Sequence, residues 1–147
     1  MTLTGQCRCS AVRYQLNTDV PPAIYACHCT DCQTWSGSAF ALHALLPADA
    51  LTLTGPLTTY AYDLNGQHAE HQVCSVCHTR LCNTTTAAPG MKVLRAGTLD
   101  ESRSLQPMAH IWVSRKQPWL TLPEGLPSWP QSPTPQAFGE ALMAYAG

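Results

Sequence analysis

Residues 5–10 read GQCRCS and residues 73–78 read VCSVCH, so two close cysteine pairs lie far apart in the chain. Four thiolates are the ligand set of a closed structural zinc site. We therefore predict one zinc ion bound by Cys7, Cys9, Cys74 and Cys77. We expect Cys7 and Cys9 to lie on a strand, where residues two apart point the same way. Such an ion would join distant segments and contribute to the folding free energy. The alternative is two reduced, buried pairs without metal.

A third cluster, CHCTDC at residues 27–32, places three cysteines within six residues. Either Cys82 or His28 completes a second closed site, or the fourth position is open to water or substrate, as in catalytic zinc sites. We expect His28 to point away from the ion because it lies between two ligands, and we expect Cys82 to be a small buried hydrophobe. We favour an open site with three ligands, Cys27, Cys29 and Cys32.

The composition limits the class of protein. A chain of 147 residues has room for one core, and 45% hydrophobic with 12% charged residues is typical of a folded domain. A net charge of -1 and the absence of any Lys/Arg run argue against nucleic acid or an anionic membrane as partner. The N-terminus has no apolar signal region, which predicts a cytoplasmic protein. In a reducing compartment, eight closely spaced cysteines more often bind metal than form disulfides.

The pattern of hydrophobic residues predicts a mainly β fold of seven or eight short strands. Val12, Tyr14 and Leu16 alternate with polar residues, as on a half-buried strand. Asn65-Gly66 follows LTTYAYDL and is a strong hairpin signal. Further predicted strands cover residues 38–46, 66–74, 91–99 and 109–114. The strand at 66–74 carries His68 and His71 among polar neighbours, and we expect both histidines to be solvated.

Helix is predicted only after the CHCTDC cluster, as one or two turns from Thr30 to Trp35, and at the C-terminus. There Thr134 is a candidate N-cap and Pro135 fits the first turn. Six prolines from Pro118 to Pro135 predict an extended tail that leads to this terminal helix. We predict a zinc domain at 1–119, with the tail and helix of 120–147 packed on the same domain.

Five motifs occur in a characteristic order: GQCRCSAVRY, CHCTDCQTWSG, VCSVCHTRL, GTLD and HIWVSRKQPW. In this order the sequence resembles the glutathione-dependent formaldehyde-activating enzyme family, which includes centromere protein V. The resemblance extends to about Trp119 and implies a β-tent fold of short antiparallel strands around two zinc ions. It matches the four paired cysteines to a structural zinc and the CHCTDC cysteines to a catalytic-type zinc. The chain departs from the family at His78, where Gly is usual, and at Val73, where an aromatic is common.

The resemblance also implies a zinc-dependent carbon–sulfur lyase that acts on a glutathione–formaldehyde adduct, S-hydroxymethylglutathione, or on a related small electrophile. Three thiolates make zinc a weak Lewis acid, better suited to holding an exogenous thiol than to generating hydroxide for hydrolysis. His110 is a candidate proton donor on a strand face shared with Trp112, although a hydrogen-bonded strand histidine is the commoner role. The alternative is a non-catalytic zinc protein that carries a thiol adduct or serves as an interaction module.

Overall fold

Ten strands and two helices make up most of the regular structure in the computed structural model, which describes residues 2–18 and 21–146. In chain order the strands are β1 (Thr2–Gln6), β2 (Arg13–Asn17), β3 (Ala23–Cys27), β4 (Ala41–Pro47), β5 (Leu51–Thr54), β6 (Leu57–Leu64), β7 (Gln67–Cys74), β8 (Arg80–Thr85), β9 (Met91–Arg95) and β10 (His110–Ile111). The helices are α1 (Thr30–Ser36) and α2 (Pro135–Ala146). Short 3-10 turns lie at Ala48–Ala50, Ala96–Thr98, Ser102–Ser104 and Val113–Arg115.

The chain divides into two compact units, and each is built from two separate segments. The first unit combines Met1–Pro22 with Ala44–Leu105, and the second combines Ala23–His43 with Gln106–Gly147. The second unit therefore holds the CHCTDC cluster, and the first unit holds both cysteine pairs. The predicted boundary at residue 119 stays a prediction.

In the first unit, β1, β2 and β5 form an antiparallel sheet in the order β1-β2-β5. Tyr14 and Leu16 are buried on one face of β2, as their alternation predicts. The ring of Tyr14 crosses β1 at Gly5, where a Cβ would lie 2.2 Å from the ring, so only glycine fits. The Tyr14 hydroxyl is hydrogen-bonded to Thr98 Oγ1 at 2.7 Å. This packing fixes the end of β1, from which Cys7 follows directly.

The strands β6 to β9 continue the first unit as antiparallel neighbours. The predicted hairpin between β6 and β7 is confirmed: Asn65 and Gly66 both have positive φ, 53° and 78°, as a type I′ turn requires. The next turn, from Cys74 to Arg80, contains the second cysteine pair. Both pairs of the first unit are therefore located where a strand ends and the chain reverses.

In the second unit, β10 pairs in parallel with β3, with His110 opposite Ala26 and Ile111 opposite Cys27. The proline-rich tail runs beside β10, because His110 N–H donates to Pro127 O and Trp129 N–H donates to His110 O, each at 3.0 Å. This agrees with the predicted extended tail.

The predicted terminal helix is also confirmed, as α2. The amide of Ala137 donates to the hydroxyl of Thr134 at 3.1 Å, so Thr134 is the N-cap. Phe138 packs edge-on against Tyr25, with ring centroids 5.0 Å apart. The helix is therefore attached to β3 of the same unit.

The mainly β fold is confirmed, while the β-tent arrangement stays a prediction. Two local predictions are wrong. Cys7 and Cys9 do not lie on a strand, because β1 ends at Gln6. Trp112 is not on the strand of His110, because β10 ends at Ile111 and Trp112 has a left-handed backbone with φ 58°. Among the described residues, the structure contains no helix long and apolar enough to cross a membrane.

Candidate metal centres

The four paired cysteines converge on one point of the first unit, with all four Sγ atoms within 4.8 Å of one another. Cys7 Sγ lies 3.6 Å from Cys9 Sγ, and Cys9 Sγ lies 3.8 Å from Cys74 Sγ. A turn, rather than a strand, produces this convergence at the first pair: Ser10 N–H donates to Cys7 O at 3.1 Å. We call these four residues the paired-cysteine centre.

Backbone amides point at the sulfurs of the paired-cysteine centre. The Val12 amide donates to Cys7 Sγ at 3.3 Å, and the amides of Val76 and Cys77 donate to Cys74 Sγ at 3.4 Å each. Such hydrogen bonds favour the thiolate, which is the form that binds metal. The hydroxyl and the backbone of Thr79 likewise lower the pKa of Cys77 to about 5.

His78 follows Cys77 in a left-handed backbone conformation, with φ 65°. Its amide donates to Cys74 O at 3.0 Å, which closes the turn around the second pair. A residue with a Cβ costs roughly 1–2 kcal/mol in this conformation. The turn therefore keeps the geometry that glycine favours, and His78 bears strain without opening the centre.

The CHCTDC cysteines form a second group in the other unit, and the Sγ atoms of Cys27, Cys29 and Cys32 also lie within 4.8 Å of one another. Cys27 is the last residue of β3, and Cys29 is the N-cap of α1. The Cys32 amide donates to Cys29 Sγ at 3.3 Å, so one sulfur both caps the helix and joins the cluster. We call this group the three-cysteine centre.

Cys29 and Cys27 differ in the direction in which their surroundings shift the thiol pKa. Hydrogen bonds from the thiols of Cys27 and Cys32, and from the amides of Cys32 and Asp31, lower the pKa of Cys29 strongly. The pKa of Cys27 is raised, first by its hydrogen bonds to Cys29 and Cys32 and then by burial. Metal binding would have to release the remaining protons, because the thiolate is the ligand.

No fourth Cys, His, Asp or Glu joins the three-cysteine centre among the residues that the structure describes. Cys82 is 1% exposed in the first unit and donates to Gln72 Oε1 at 3.3 Å. Burial raises the pKa of Cys82, which agrees with the expected role as a small buried side chain. The ring of His28 is hydrogen-bonded to His110 and is not part of the cluster.

Comparison with known proteins bears on the identity of the chain. The sequence model for the glutathione-dependent formaldehyde-activating enzyme matches residues 2–115. This range covers more than half of the chain and includes all seven cysteines of the two centres. The chain belongs to the glutathione-dependent formaldehyde-activating enzyme family.

One curated relative agrees with this assignment, and one solved structure is similar in fold. A Halomonas elongata protein named "Putative glutathione-dependent formaldehyde-activating enzyme" is 27% identical over 128 residues, which cover 83% of this chain and 82% of the relative. A crystal structure of a Rhodobacter sphaeroides protein gives a TM-score of 0.55 at 19% identity, covering 71% of this chain and 91% of that one. At this identity the second similarity concerns the fold alone.

In this family member, His110 is not part of the three-cysteine centre and is hydrogen-bonded to His28, the residue between Cys27 and Cys29. His110 is 4% exposed and its Nδ1 is 3.0 Å from Nε2 of His28, which is fully buried. Burial lowers the pKa of His110, and burial with the charges of His110 and Lys116 lowers the pKa of His28 to about 4. These contacts favour a hydrogen-bonded structural pair, and the role of His110 as proton donor stays a prediction.

Trp112 is in contact with the cluster that holds the sulfurs. Together with Ile111 it packs against the buried cluster that contains Cys27 and Cys32. Its indole Nε1 donates to Ser132 Oγ at 2.9 Å, which holds the ring in place. Trp112 therefore combines a left-handed backbone, with φ 58°, and a side chain packed against the cluster of the three-cysteine centre.

The expectation for His71 is wrong. His71 is 3% exposed, stacks on Tyr62 with ring centroids 5.5 Å apart, and accepts a hydrogen bond from Arg80 at 2.6 Å on Nδ1. Burial, with the charges of Arg80 and Arg95, lowers the pKa of His71 to about 4. His68 is solvated as expected, with a side chain 45% exposed beside Asp63.

Sequence reasoning also missed Gln33, a residue of α1 whose side chain contacts the CHCTDC loop. Its Nε2 donates to His28 O at 2.7 Å and to Arg115 O at 2.9 Å. One signal was present in the sequence: Gln33 is the residue after the last cysteine of the cluster, four positions after Cys29.

Both centres fit a soft divalent metal by the chemistry of their donors. Thiolate sulfur selects zinc and related soft ions over magnesium or calcium. The paired-cysteine centre offers four sulfurs, the number that a closed tetrahedral site needs. The three-cysteine centre offers three, which is the number of protein ligands in catalytic sites. None of the eight cysteines forms a disulfide in the described part of the chain.

Proposed function

We propose that this protein is a zinc-dependent enzyme that joins glutathione to formaldehyde, and that the three-cysteine centre is its active site. In the reaction the glutathione sulfur bonds to the carbonyl carbon, and the thiol proton is transferred to the carbonyl oxygen, giving S-hydroxymethylglutathione. The reverse reaction breaks the carbon–sulfur bond and makes the protein a carbon–sulfur lyase. The main support is the cluster of three sulfurs, which no fourth Cys, His, Asp or Glu joins in the described part of the chain, in a member of this family.

The two centres would hold two zinc ions with different roles. The four sulfurs of the paired-cysteine centre would bind a structural zinc, and Cys27, Cys29 and Cys32 would bind the second zinc. When bound there, the second zinc would lower the pKa of an incoming thiol and keep it as the nucleophilic thiolate.

The residues around the three-cysteine centre would hold its sulfurs in position and limit the access of water. Cys29 is fixed by its capping bond from the Cys32 amide, and Cys27 is fixed by the pairing of β3 with β10. Trp112 and Ile111 cover the cluster on one side and limit the access of water. Orientation of this kind is worth several kcal/mol when two reactants must meet. The reaction needs little more, because thiols add to formaldehyde without a catalyst.

Exchange spectroscopy tests the proposal on the intact, anaerobically purified protein. Carbon-13 formaldehyde and glutathione equilibrate with their adduct, and the exchange rate can be measured by NMR with and without protein. We expect the wild-type protein to accelerate exchange in proportion to its concentration. We expect Cys29→Ser to lose this acceleration, because serine keeps the helix cap and removes a sulfur ligand.

Two results would redirect the proposal. A stoichiometric amount of bound adduct without faster exchange would identify a carrier of the thiol adduct rather than an enzyme. Acceleration with another small aldehyde but not with formaldehyde would keep the chemistry and change the substrate. Equal exchange rates with and without protein for every aldehyde, and no bound adduct, would contradict the proposal and favour an interaction module.

A further inference from the structure

The side-chain amide of Gln33 uses both its donor and its acceptor groups within the second unit. Its Nε2 donates to His28 O at 2.7 Å and to Arg115 O at 2.9 Å, and its Oε1 accepts from Gln117 Nε2 at 2.7 Å. A primary amide has two N–H donors, so both are occupied. Gln33 is partly buried, and its three bonds join α1, the CHCTDC loop and the segment after β10.

The position of His28 makes one of these bonds important for the three sulfurs. His28 is the residue between Cys27 and Cys29. Its amide donates to Ile111 O at 3.0 Å, and its carbonyl accepts from Gln33. Both backbone groups between two neighbouring sulfurs are therefore fixed from outside the loop. If the hydrogen bond from Gln33 were removed, the His28 carbonyl would lose the restraint that this side chain of α1 provides.

The second anchor of Gln33 is itself held in place. Arg115 N–H donates to Trp112 O at 3.0 Å, which closes a 3-10 turn directly after the ring that covers the cluster. Lys116 Nζ donates to Leu120 O at 2.6 Å and to Gln117 O at 3.2 Å. Gln33 therefore connects the sulfur-bearing loop to a restrained turn rather than to a loose segment.

We propose that Gln33 is a positioning residue for the three-cysteine centre, which fixes the spacing of its sulfurs before a metal arrives. This inference rests on the proposed function, because it assigns a metal to that centre. Partners outside the ligand set that orient metal ligands are worth about 10- to 100-fold in metal affinity when they are removed. All three hydrogen bonds of the Gln33 side chain lie within the second unit, so we expect its effect to be confined to the metal of that unit's centre.

Two substitutions remove the amide without removing its volume. Gln33→Met keeps the length of the side chain and loses all three hydrogen bonds. Gln33→Glu keeps an acceptor but brings a carboxylate against two carbonyl oxygens, so it is expected to have the larger effect. The matched control is Gln136→Met, because Gln136 is an exposed glutamine of α2 whose Nε2 donates to Glu140 Oε1 at 3.1 Å within the same helix.

The first readout is the rate of zinc transfer from the loaded protein to a chromophoric chelator under anaerobic conditions. In the wild type we expect two phases, one for each centre. In Gln33→Met we expect the faster phase to accelerate about 10- to 100-fold and the slower phase to stay unchanged. The control should match the wild type in both phases. Unchanged release in both Gln33 variants would overturn the inference, and so would equal acceleration of both phases with a lower melting temperature.

The second readout does not depend on a second metal. Hydrogen exchange of the amides from Cys29 to Gln33, measured in protein loaded with one zinc, should be faster in Gln33→Met than in the wild type. Equal exchange there would overturn the inference. A wild type that binds two zincs, shows the Gln33 effect and does not accelerate adduct formation would contradict the proposed function alone. A wild type that binds a single zinc would contradict the proposed second zinc, and the exchange measurement would still decide the role of Gln33.

Discussion

Both cysteine centres offer sulfur as the donor atom, but their cysteines differ in how far apart they lie in the sequence. The paired-cysteine centre joins Cys9 to Cys74 across 65 residues, whereas the three-cysteine centre takes its sulfurs from six consecutive residues. Joining two ends of a long segment costs chain entropy that only folding or a strong bond can offset. A metal at the first centre would therefore stabilise the fold, and a metal at the second would stabilise little beyond its own loop. This difference supports the proposed division into a structural site and a site available for chemistry.

The number of sulfurs strengthens this contrast. Four sulfurs satisfy a tetrahedral metal completely, so the paired-cysteine centre has no position left for a substrate. Three sulfurs leave one position, and in the described residues no further protein donor joins them.

The largest effect is expected for Cys74→Ala, which removes a fully buried sulfur from the paired-cysteine centre. The apparent binding free energy of structural zinc is about 10–16 kcal/mol. This is as large as the whole stability of a typical domain, about 5–15 kcal/mol. We therefore expect this variant to lose more than about 5 kcal/mol or to fail to fold. Urea denaturation followed by circular dichroism gives the measurement. A folded variant with near-native stability would contradict the structural role of this centre.

A smaller loss is expected for His110→Ala, which removes the hydrogen-bond partner of His28. This change leaves Nε2 of His28 buried without its partner at 3.0 Å, which costs about 1–3 kcal/mol. We expect the rate of adduct formation to fall less than about 10-fold, because His110 is buried and already hydrogen-bonded. Both values can be measured on one preparation. A rate about 100-fold lower or more, with stability and zinc content retained, would identify His110 as the proton donor.

Two substitutions at Cys29 separate its two roles. Cys29→Ser keeps a good N-cap acceptor for the Cys32 amide, and Cys29→Ala removes it, which costs about 1 kcal/mol. We expect both variants to fold and to lose the second zinc, and only the alanine variant to be measurably less stable. Zinc content and thermal unfolding are the measurements. If Cys29→Ser destabilised the protein as much as Cys74→Ala, the division into structural and catalytic metals would have to be abandoned.

The smallest effect is a gain, expected for His78→Gly in the turn of the paired-cysteine centre. Glycine relieves the strain of φ 65°, which is about 1–2 kcal/mol. Glycine also loses more conformational entropy on folding, which lowers stability by roughly 0.5–1 kcal/mol. We expect a net stabilisation of about 0.5 kcal/mol by urea denaturation, with zinc binding unchanged. Gly66→Ala, at φ 78° in the β6–β7 hairpin, is the reverse control and should destabilise. A loss of stability in His78→Gly would show that the imidazole contributes more than its backbone costs.

The features predicted correctly from the sequence are those that short-range interactions determine. The Asn65-Gly66 hairpin, the helix after the CHCTDC cluster and the N-cap at Thr134 all depend on neighbours within a few residues. Cysteine spacing likewise predicts which sulfurs converge, even though the expected strand at Cys7 and Cys9 is a turn. The hydrogen bond from the Ser10 amide to Cys7 O closes this turn, and both sulfurs then lie on one side of it.

The features that were missed depend on residues far apart in the chain. Gln33 donates a hydrogen bond to the carbonyl of Arg115, which is 82 positions away in the sequence. No local pattern indicates this contact. His71 lies in a polar segment, and its burial comes from stacking on Tyr62 of the neighbouring strand and from Arg80 of the next one. Trp112 leaves the strand because its backbone turns to the left-handed region, where bulky residues are rare. Tertiary packing overrides local preference at each of these places.

The central claim is that the two centres differ in whether they accept a thiol from outside the protein. Zinc per chain, measured on anaerobically purified protein, combined with X-ray absorption at the zinc edge before and after addition of glutathione, tests it most directly. We expect two zincs per chain and an increase in the average number of sulfur neighbours when glutathione is added, and we expect no such increase in Cys29→Ser. Two zincs with an unchanged sulfur count, or one zinc with Cys27, Cys29 and Cys32 open to alkylation, would contradict it.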